Sequence, residues 1–458
     1  MRPFTSILAL VLLAAVACGL GAAERDFTLQ TFMTGYIGQG GEIDGQKNPT
    51  LVVDAGDQVR ITIINAEPMA HDIVLDANRV KSDQILKKGD QTSVTFTALA
   101  SEQYYCSIPG HRQIGMVGQF QVRGSAPAET ADHGGDIADL HRPMHGAALE
   151  PARPVTVAEI GADPNAIPAP ITRTEPAVVK YTITASEEIA YLADGTTYEY
   201  WCYDQQVPGP AIRARIGDTI EVTFANSPKS RMVHSIDFHS CTGPGGGAKM
   251  LQVPPGQQRT LSFKALHAGA FVYHCATPHI PTHLARGMYG LCIVDPEIPL
   301  PAVDKEFYVM QGDIYTTHKP GTAGHMVQDD DRLFEEQPTF VVMNGRVGSL
   351  TGDRTMQCEV GQTVRIFFGV GGPNVTSSFH VIGEMFDRCY REGDMVGPPG
   401  LSVQTTLVPT GGAAVVDMKI DTAGTYLLVD HSLTRLDKGC VGLLKATGTD
   451  DPEIISLK

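Results

Sequence analysis

A cysteine, a histidine and a methionine lie within eleven residues of one another in the first third of the chain: Cys106, His111 and Met116. An earlier histidine, His71, precedes them. Two imidazoles, one thiolate and one weak thioether are the ligand set of a blue-copper electron-transfer site. The alternative is a buried cysteine with an incidental histidine and methionine nearby. Because all three late residues share one short loop, the pattern favours the metal site.

A second constellation repeats this ligand set and adds two histidines. Side chains alternate faces along a strand, so the adjacent His274 and Cys275 are expected to point in opposite directions. The extra histidines, His239 and His274, therefore predict a second metal, one residue away from the cysteine of the first. The repeated ligand set is His234, Cys275, His283 and Met288.

The elements that must position these residues are short β-rich runs separated by Gly-Asp turns. One strand-opening phrase occurs three times along the chain, at 55–61, 216–222 and 360–366. Three copies of one β-sandwich are the simplest account of this repeat. The sequence therefore predicts an all-β protein with three sandwiches in tandem.

Chain length and changes in composition along the sequence predict the domain boundaries. The 458 residues exceed what one hydrophobic core usually fills. Strand patterns fade between two blocks, where Ala, Pro, Gly, Asp and His dominate and periodicity disappears, which is typical of a linker. The predicted segments are a signal peptide at 1–23, a domain at 24–123, a linker at 124–165, and further domains at 166–298 and 299–458.

The charge and the N-terminus restrict partners and compartment. A net charge of −16 argues against nucleic acid and against an anionic membrane surface as partner. Arg2, an apolar run at 7–16 and Gly21-Ala22-Ala23 form an export signal, which predicts a periplasmic protein. A lipid anchor at Cys18 is the alternative. No second apolar run reaches the length of a membrane span.

The segment from His234 to Gly290 resembles the first domain of the copper-containing nitrite reductases, and the last block resembles their second domain. The likeness covers about residues 166–448, and the fused front domain is similar to that of three-domain members. It implies three cupredoxin-like Greek-key β-sandwiches. Domain 24–123 would carry its own blue copper, and 166–298 and 299–458 would form the reductase.

The resemblance also implies roles for single residues. His234, Cys275, His283 and Met288 match the electron-accepting type 1 copper, and His71, Cys106, His111 and Met116 form the N-terminal one, which makes three coppers per chain with the type 2 copper. His239 and His274 match two type 2 ligands, and His431 matches the third, which the family supplies from the neighbouring subunit of a homotrimer. Asp237 and His380 match its active-site acid and histidine, and Ile382 the apolar residue that shapes the pocket.

The implied activity is dissimilatory reduction of nitrite to nitric oxide, with a cytochrome c or cupredoxin as donor and the N-terminal copper as electron relay. One rival is a laccase-like multicopper oxidase. That rival needs His-x-His pairs, which this chain lacks, and a His after the cysteine, where it has Ala276. The other rival is a non-catalytic electron carrier with several copper domains.

Overall fold

The computed structural model describes residues 23–67, 69–108, 111–112, 115–123, 149–449 and 452–456. These residues form two compact units, one holding 23–108 and 115–123 and the other holding 149–449 and 452–456. The predicted signal peptide with Cys18, and most of the predicted linker, lie outside the described residues. No helix in the described part of the chain has the length and hydrophobicity needed to span a bilayer.

The first unit is a two-sheet β-sandwich with one short 3-10 helix at Gly41–Ile43. Its strands are β1 Glu24–Phe32, β2 Gly35–Gln39, β3 Leu51–Asp54, β4 Gln58–Asn65, β5 Val74–Leu75, β6 Val80–Lys81, β7 Gln91–Thr97, β8 Glu102–Tyr105 and β9 Val117–Arg123. One sheet has the order β2-β1-β4-β7 and the other β3-β9-β8-β5-β6. Along β4 every second residue is buried, so one face of the strand packs on the core.

The second unit begins with the strands β10 Val178–Ala193, β11 Thr196–Tyr203, β12 Ile212–Arg215, β13 Thr219–Asn226, β14 Asp237–Phe238, β15 Gln258–Lys264, β16 Gly269–His274 and β17 Tyr289–Asp295, with helix α1 at Ile280–Ala285. It continues with β18 Lys305–Ile314, β19 Gly324–Met326, β20 Phe340–Met343, β21 Met356–Glu359, β22 Thr363–Gly372, β23 Ser377–Ile382, β24 Arg388–Tyr390, β25 Thr405–Val408, β26 Ala413–Lys419, β27 Gly424–Asp430 and β28 Val441–Thr447. Two more helices are α2 Asp330–Phe334 and α3 Thr434–Asp437, and 3-10 turns lie at Pro244–Gly247, Gly352–Arg354 and Arg391–Gly393.

These strands form four further sheets, which pair into two sandwiches. The first sandwich has sheets β15-β13-β10-β11-β19 and β12-β17-β16-β14, and the second has β20-β18-β22-β26-β24 and β21-β28-β27-β23-β25. The same parallel pairing recurs in all three sandwiches, as β1 with β4, β10 with β13 and β18 with β22. A second parallel pairing recurs as β3 with β9, β12 with β17 and β21 with β28. The predicted all-β fold with repeated sandwiches is confirmed.

The segment 149–165 lies along the second unit, although the sequence analysis assigns it to the linker. Ile160 is fully buried, and Gly161 forms a β-bridge with Val207. Glu159 pairs with the guanidinium of Arg346. The packing of the second unit therefore starts before residue 166.

A buried ion network joins the two sandwiches of the second unit. Arg213 on β12 bonds Asp295 at 2.9 Å and Glu306, on β18, at 2.6 Å. Glu306 also lies 3.4 Å from Arg365, which bonds Asp417 at 2.7 Å. Charges buried this deeply are tolerated because each has an opposite partner. No disulfide joins the eight cysteines of the described residues.

Candidate metal centres

The N-terminal constellation converges at one end of the first sandwich. Cys106 follows β8 and Met116 precedes β9, so one loop carries both. The ligand atoms of His71, Cys106 and His111 lie within 4.8 Å of one another, and all three residues are buried. Met116 is fully buried, and its carbonyl oxygen accepts the N–H of Cys106 at 3.2 Å. The residues predicted from the sequence are therefore brought together as a closed pocket.

The second constellation has the same form. Cys275 directly follows β16, His283 lies on α1 and Met288 immediately precedes β17. The ligand atoms of His234, Cys275 and His283 lie within 4.8 Å of one another in a buried group. Sγ of Cys275 is 3.3 Å from Nδ1 of His283, and Met288 is fully buried.

The electrostatics of this group suit a cation. Burial raises the pKa of the Cys275 thiol, but the imidazoles of His234 and His283 outweigh it and hold that pKa well below its usual range. A thiolate is the form that ligates a metal. Both ring nitrogens of His234 are buried without a hydrogen-bond partner. A buried polar atom left without a partner costs free energy, which a bound metal would recover.

A pair of histidines connects β14 and β16: His239 directly follows β14, and His274 is the last residue of β16. Nε2 of His239 is 3.0 Å from Nε2 of His274, and the two rings meet edge to face. Nδ1 of His274 is 3.0 Å from the carbonyl oxygen of Cys275, so the proton sits on Nδ1 and the lone pair on Nε2. Desolvation and the neighbouring His274 lower the pKa of His239, which keeps that ring neutral. Neutral imidazoles with free lone pairs are metal ligands.

The other two histidines predicted as site residues form a separate pair in the last sandwich. His380 lies on β23 and His431 directly follows the adjacent strand β27, with ring centroids 5.5 Å apart. Nδ1 of His380 donates to the carbonyl oxygen of Gln404 at 2.6 Å. Among the described residues, only the two cysteine-containing groups join three or more possible ligands. His431 therefore does not meet the His239–His274 pair within one chain.

Asp237 and Ile382 complete the predicted site residues. Asp237 lies opposite His274 in the β14–β16 pairing, two residues before His239. The backbone of Gly246 packs against it so closely that a β-carbon there would lie 1.9 Å from Oδ1 of Asp237. Only glycine fits at this position, and it also has a φ of +49°. Ile382, at the end of β23, is exposed.

Comparison with known proteins decides the family. Models described as "Copper binding proteins, plastocyanin/azurin family" and "Multicopper oxidase" match residues 46–123 and 184–298. A copper-containing nitrite reductase of Neisseria gonorrhoeae is 48% identical over 293 residues, which are 64% of this chain and 74% of that protein. One from Neorhizobium galegae is 34% identical over 300 residues, 62% of this chain and 79% of that protein. The chain belongs to the copper-containing nitrite reductase family.

Solved structures place the same part of the chain in this family. A copper nitrite reductase from Nitrosomonas europaea is 32% identical and superposes with a TM-score of 0.53, over 60% of this chain and 96% of that one. The match thus spans nearly the whole of that reductase and leaves a large part of this chain over. The plastocyanin and azurin family model lies within the N-terminal unit, as expected for a reductase with a fused copper domain.

The structure also reveals site residues of this nitrite reductase family member that the sequence analysis missed. Asp72 and Ser235 each directly follow the first histidine of the buried metal-ligand group in their domain, and each contacts the segment that carries the cysteine. Their position next to His71 and His234 is a signal that sequence inspection could have used. Glu187 lies on β10, with Oε1 3.6 Å from Nε2 of His234. Nothing in its sequence neighbourhood marks it.

Proposed function

We propose that this chain reduces nitrite to nitric oxide, consuming one electron and two protons and releasing one water. The observation that carries the proposal is the junction at residues 274 and 275. There a buried His-Cys-His group and a surface histidine pair are attached to consecutive residues of one strand end. An electron held in the buried group is thus separated from the surface pair by only the backbone between Cys275 and His274.

The two buried groups fit type 1 copper, because each combines two imidazoles, a thiolate and a buried methionine. His239 and His274 fit a type 2 copper, which gives three coppers per chain when His431 completes the site. Copper, when bound, supplies the reducing electron and a local positive charge that attracts the nitrite anion. That local charge outweighs the net charge of −16 spread over the whole chain.

We place His431 in the site of a neighbouring subunit, in a homotrimer. Two features support this arrangement. His239 and His431 are both exposed in the single chain, although ligands of a closed catalytic site are shielded from bulk water. Around His380, the large apolar side chains of Ile382 and Leu407 are exposed on β23 and β25, as are several residues of the loop between these strands. Apolar patches of this kind mark protein interfaces.

Asp237 and His380 would handle the protons. Asp237 is held beside the histidine pair by the β14–β16 pairing and the Gly246 backbone. The hydrogen bond from Nδ1 of His380 to Gln404 fixes its ring and leaves Nε2 to pass a proton. Ile382, exposed two residues further along β23, would form the apolar wall that keeps nitrite oriented. Both residues would donate protons to the departing oxygen of nitrite, which leaves as water.

The remaining parts of the proposal concern delivery. A small donor protein, a cytochrome c or another cupredoxin, would supply electrons, and the N-terminal domain would relay them. Export to the periplasm follows from the N-terminal signal sequence. The multicopper oxidase reading is not favoured, because the chain has no His-x-His and Ala276 follows Cys275.

The test is anaerobic nitric oxide production from nitrite by copper-loaded protein with an artificial reductant. His431→Ala should abolish nitric oxide formation while the protein keeps the absorption of its blue coppers. His279→Ala is the matched control, because this exposed histidine lies in the same unit, outside both metal groups. If fully copper-loaded wild-type protein forms no nitric oxide, the proposal is wrong and the chain is an electron carrier.

A further inference from the structure

The two blue-copper sites differ in the residue that follows their first histidine. In the N-terminal domain this residue is Asp72, and in the second domain it is Ser235. Both side chains are fully buried, and both contact the segment that begins with the site's cysteine. One site therefore has a carboxylate behind its thiolate where the other has a hydroxyl.

Asp72 is fixed by the residue next to Cys106. Its Oδ1 accepts the backbone N–H of Ser107 at 2.6 Å, and its Oδ2 accepts the Ser107 hydroxyl at 2.5 Å. Both contacts are donated to the carboxylate, and the ammonium group of Lys81 lies 3.8 Å from Oδ2. The carboxylate is thereby held close to the Cys106 side chain, with which it is in hydrogen-bond contact.

Ser235 acts on its cysteine in the opposite sense. Its hydroxyl oxygen lies 3.7 Å from Sγ of Cys275. Its N–H lies 3.4 Å from the same sulfur, and the backbone of Asp72 also hydrogen-bonds Cys106, so the two sites differ in the side chain alone. The hydroxyl also accepts the N–H of Ala276 at 3.0 Å. Donors directed at a thiolate stabilise the extra electron density of the reduced copper site, whereas a carboxylate opposes it.

Other charges near the two sites do not remove this contrast. Each first histidine has one nearby glutamate: Oε1 of Glu67 lies 3.2 Å from His71, and Oε1 of Glu187 lies 3.6 Å from His234. These two glutamates are similar in distance, but Glu187 is also paired with Arg231 at 2.7 Å, so the histidine side of the second site is the less negative of the two. At the cysteine side, Lys81 lies 3.8 Å from Asp72, but its side chain is 58% exposed and water screens its charge. The buried carboxylate of Asp72 is therefore the charge by which the two sites differ there.

We propose that Asp72 holds the reduction potential of the N-terminal copper below that of the second blue copper. Adding an electron to a cupric site removes one positive charge, and a nearby buried carboxylate makes that loss unfavourable. One electron then passes downhill from the N-terminal domain to the Cys275 site, oxidising the first copper and reducing the second, with no proton or bond exchanged. This inference rests on the proposed function only in assigning copper to both sites.

The test measures both potentials in the full-length chain by spectroelectrochemistry of the thiolate-to-copper absorption. Cys275→Ala isolates the N-terminal copper, and Cys106→Ala isolates the second one. In these backgrounds the N-terminal potential should be the lower of the two. Asp72→Asn keeps an acceptor for Ser107 but removes the charge, and it should raise the N-terminal potential. We expect the electron distribution between the coppers to shift about tenfold, which corresponds to ~59 mV for a one-electron couple.

Asp57→Asn is the matched control, since Asp57 is another buried carboxylate of the same domain, paired with Arg25 in the turn before β4. It should leave both potentials in place. Asp72→Ser, which copies the second site, should raise the N-terminal potential as well and covers the case in which Asp72→Asn folds poorly. An N-terminal copper with the higher potential, or one whose potential neither variant moves, would overturn the inference. A chain with the expected potentials but no nitrite reduction would overturn the proposed function alone.

Discussion

Nε2 of His239, which directly follows β14, lies 3.0 Å from Nε2 of His274, the last residue of the paired strand β16. Two ring nitrogens at this separation can both bind the same metal ion. The hydrogen bond from Nδ1 of His274 to the Cys275 carbonyl oxygen directs the lone pair of His274 towards His239. His274 therefore contacts both His239 of the surface pair and the backbone of the buried Cys275.

His239→Ala should remove the surface copper and leave the buried ones. Losing even an outer-shell partner of a metal ligand costs about 10–100-fold in metal affinity or activity, so losing a ligand should lower nitrite reduction by more than about 100-fold. Electron paramagnetic resonance should lose the type 2 signal while the blue absorption persists. If the variant retained both the signal and the activity, His239 would not be a ligand.

Asp430→Asn should weaken the site through His431. Asp430 is fully buried, accepts the N–H groups of Ser378 and Ser432 at 3.1 and 3.0 Å, and pairs with Arg435. These contacts hold the backbone on both sides of His431. The asparagine keeps the shape but loses the charge that Arg435 needs, and we expect about a 10–100-fold loss of type 2 copper affinity.

Copper titration monitored by electron paramagnetic resonance would measure this loss. The blue absorption of the Cys275 site serves as the internal reference, because Asp430 lies on β27 in the other sandwich. A loss of both copper signals in parallel would show that Asp430 supports the fold as a whole rather than the position of His431.

The repeat and the two groups of cysteine and histidines were predictable from the sequence because they depend on local rules. The turn phrases at 55–61, 216–222 and 360–366 lead into β4, β13 and β22, which occupy equivalent places in three sandwiches. Strand alternation anticipates different faces for His274 and Cys275. In the structure, the first contacts His239 and the second contacts His283.

Long-range contacts were not predictable in the same way. Glu187 reaches His234 because β10 is 16 residues long and passes the copper pocket, a path that no local pattern records. Ile160 and Gly161 lie in a Pro- and Ala-rich stretch typical of a linker, yet they pack against Val207. The composition of such a segment predicts that it forms no periodic strand. It does not predict that the segment packs against a neighbouring sheet.

Asp313 should make stability depend on pH. This residue is fully buried on β18, and burial raises its pKa to about 6, while the hydroxyl of Tyr315 donates to it. Because the pKa is raised in the folded state, the stability it contributes is present below pH 3.8 and is lost as pH rises through about 6. The loss amounts to about 3 kcal/mol over this window.

Asp313→Asn cannot ionise, so its free energy of unfolding relative to the wild type should increase from pH 4 to pH 7.5. Urea unfolding of both proteins at several pH values measures the difference, and copper release at low pH affects both alike. The slope is the diagnostic quantity, because the amide also changes the hydrogen bond from Asn374 at every pH. Parallel curves would mean that Asp313 keeps an ordinary pKa.

Arg365 and Asp417 should show a strongly non-additive effect on stability. Their side chains are 4% and 0% exposed, and the guanidinium bonds the carboxylate at 2.7 and 2.8 Å. Arg365→Met leaves Asp417 buried without its main partner, and Asp417→Leu does the same to Arg365, so each single variant should cost about 3–5 kcal/mol of unfolding free energy. The double variant Arg365→Met with Asp417→Leu removes both charges and should recover most of that loss, because Glu306 keeps Arg213 as its partner. Unfolding free energies from the four proteins of this double-mutant cycle give the coupling energy directly. If the double variant is as unstable as the sum of its single variants, the two residues contribute independently to stability and the expected coupling is absent.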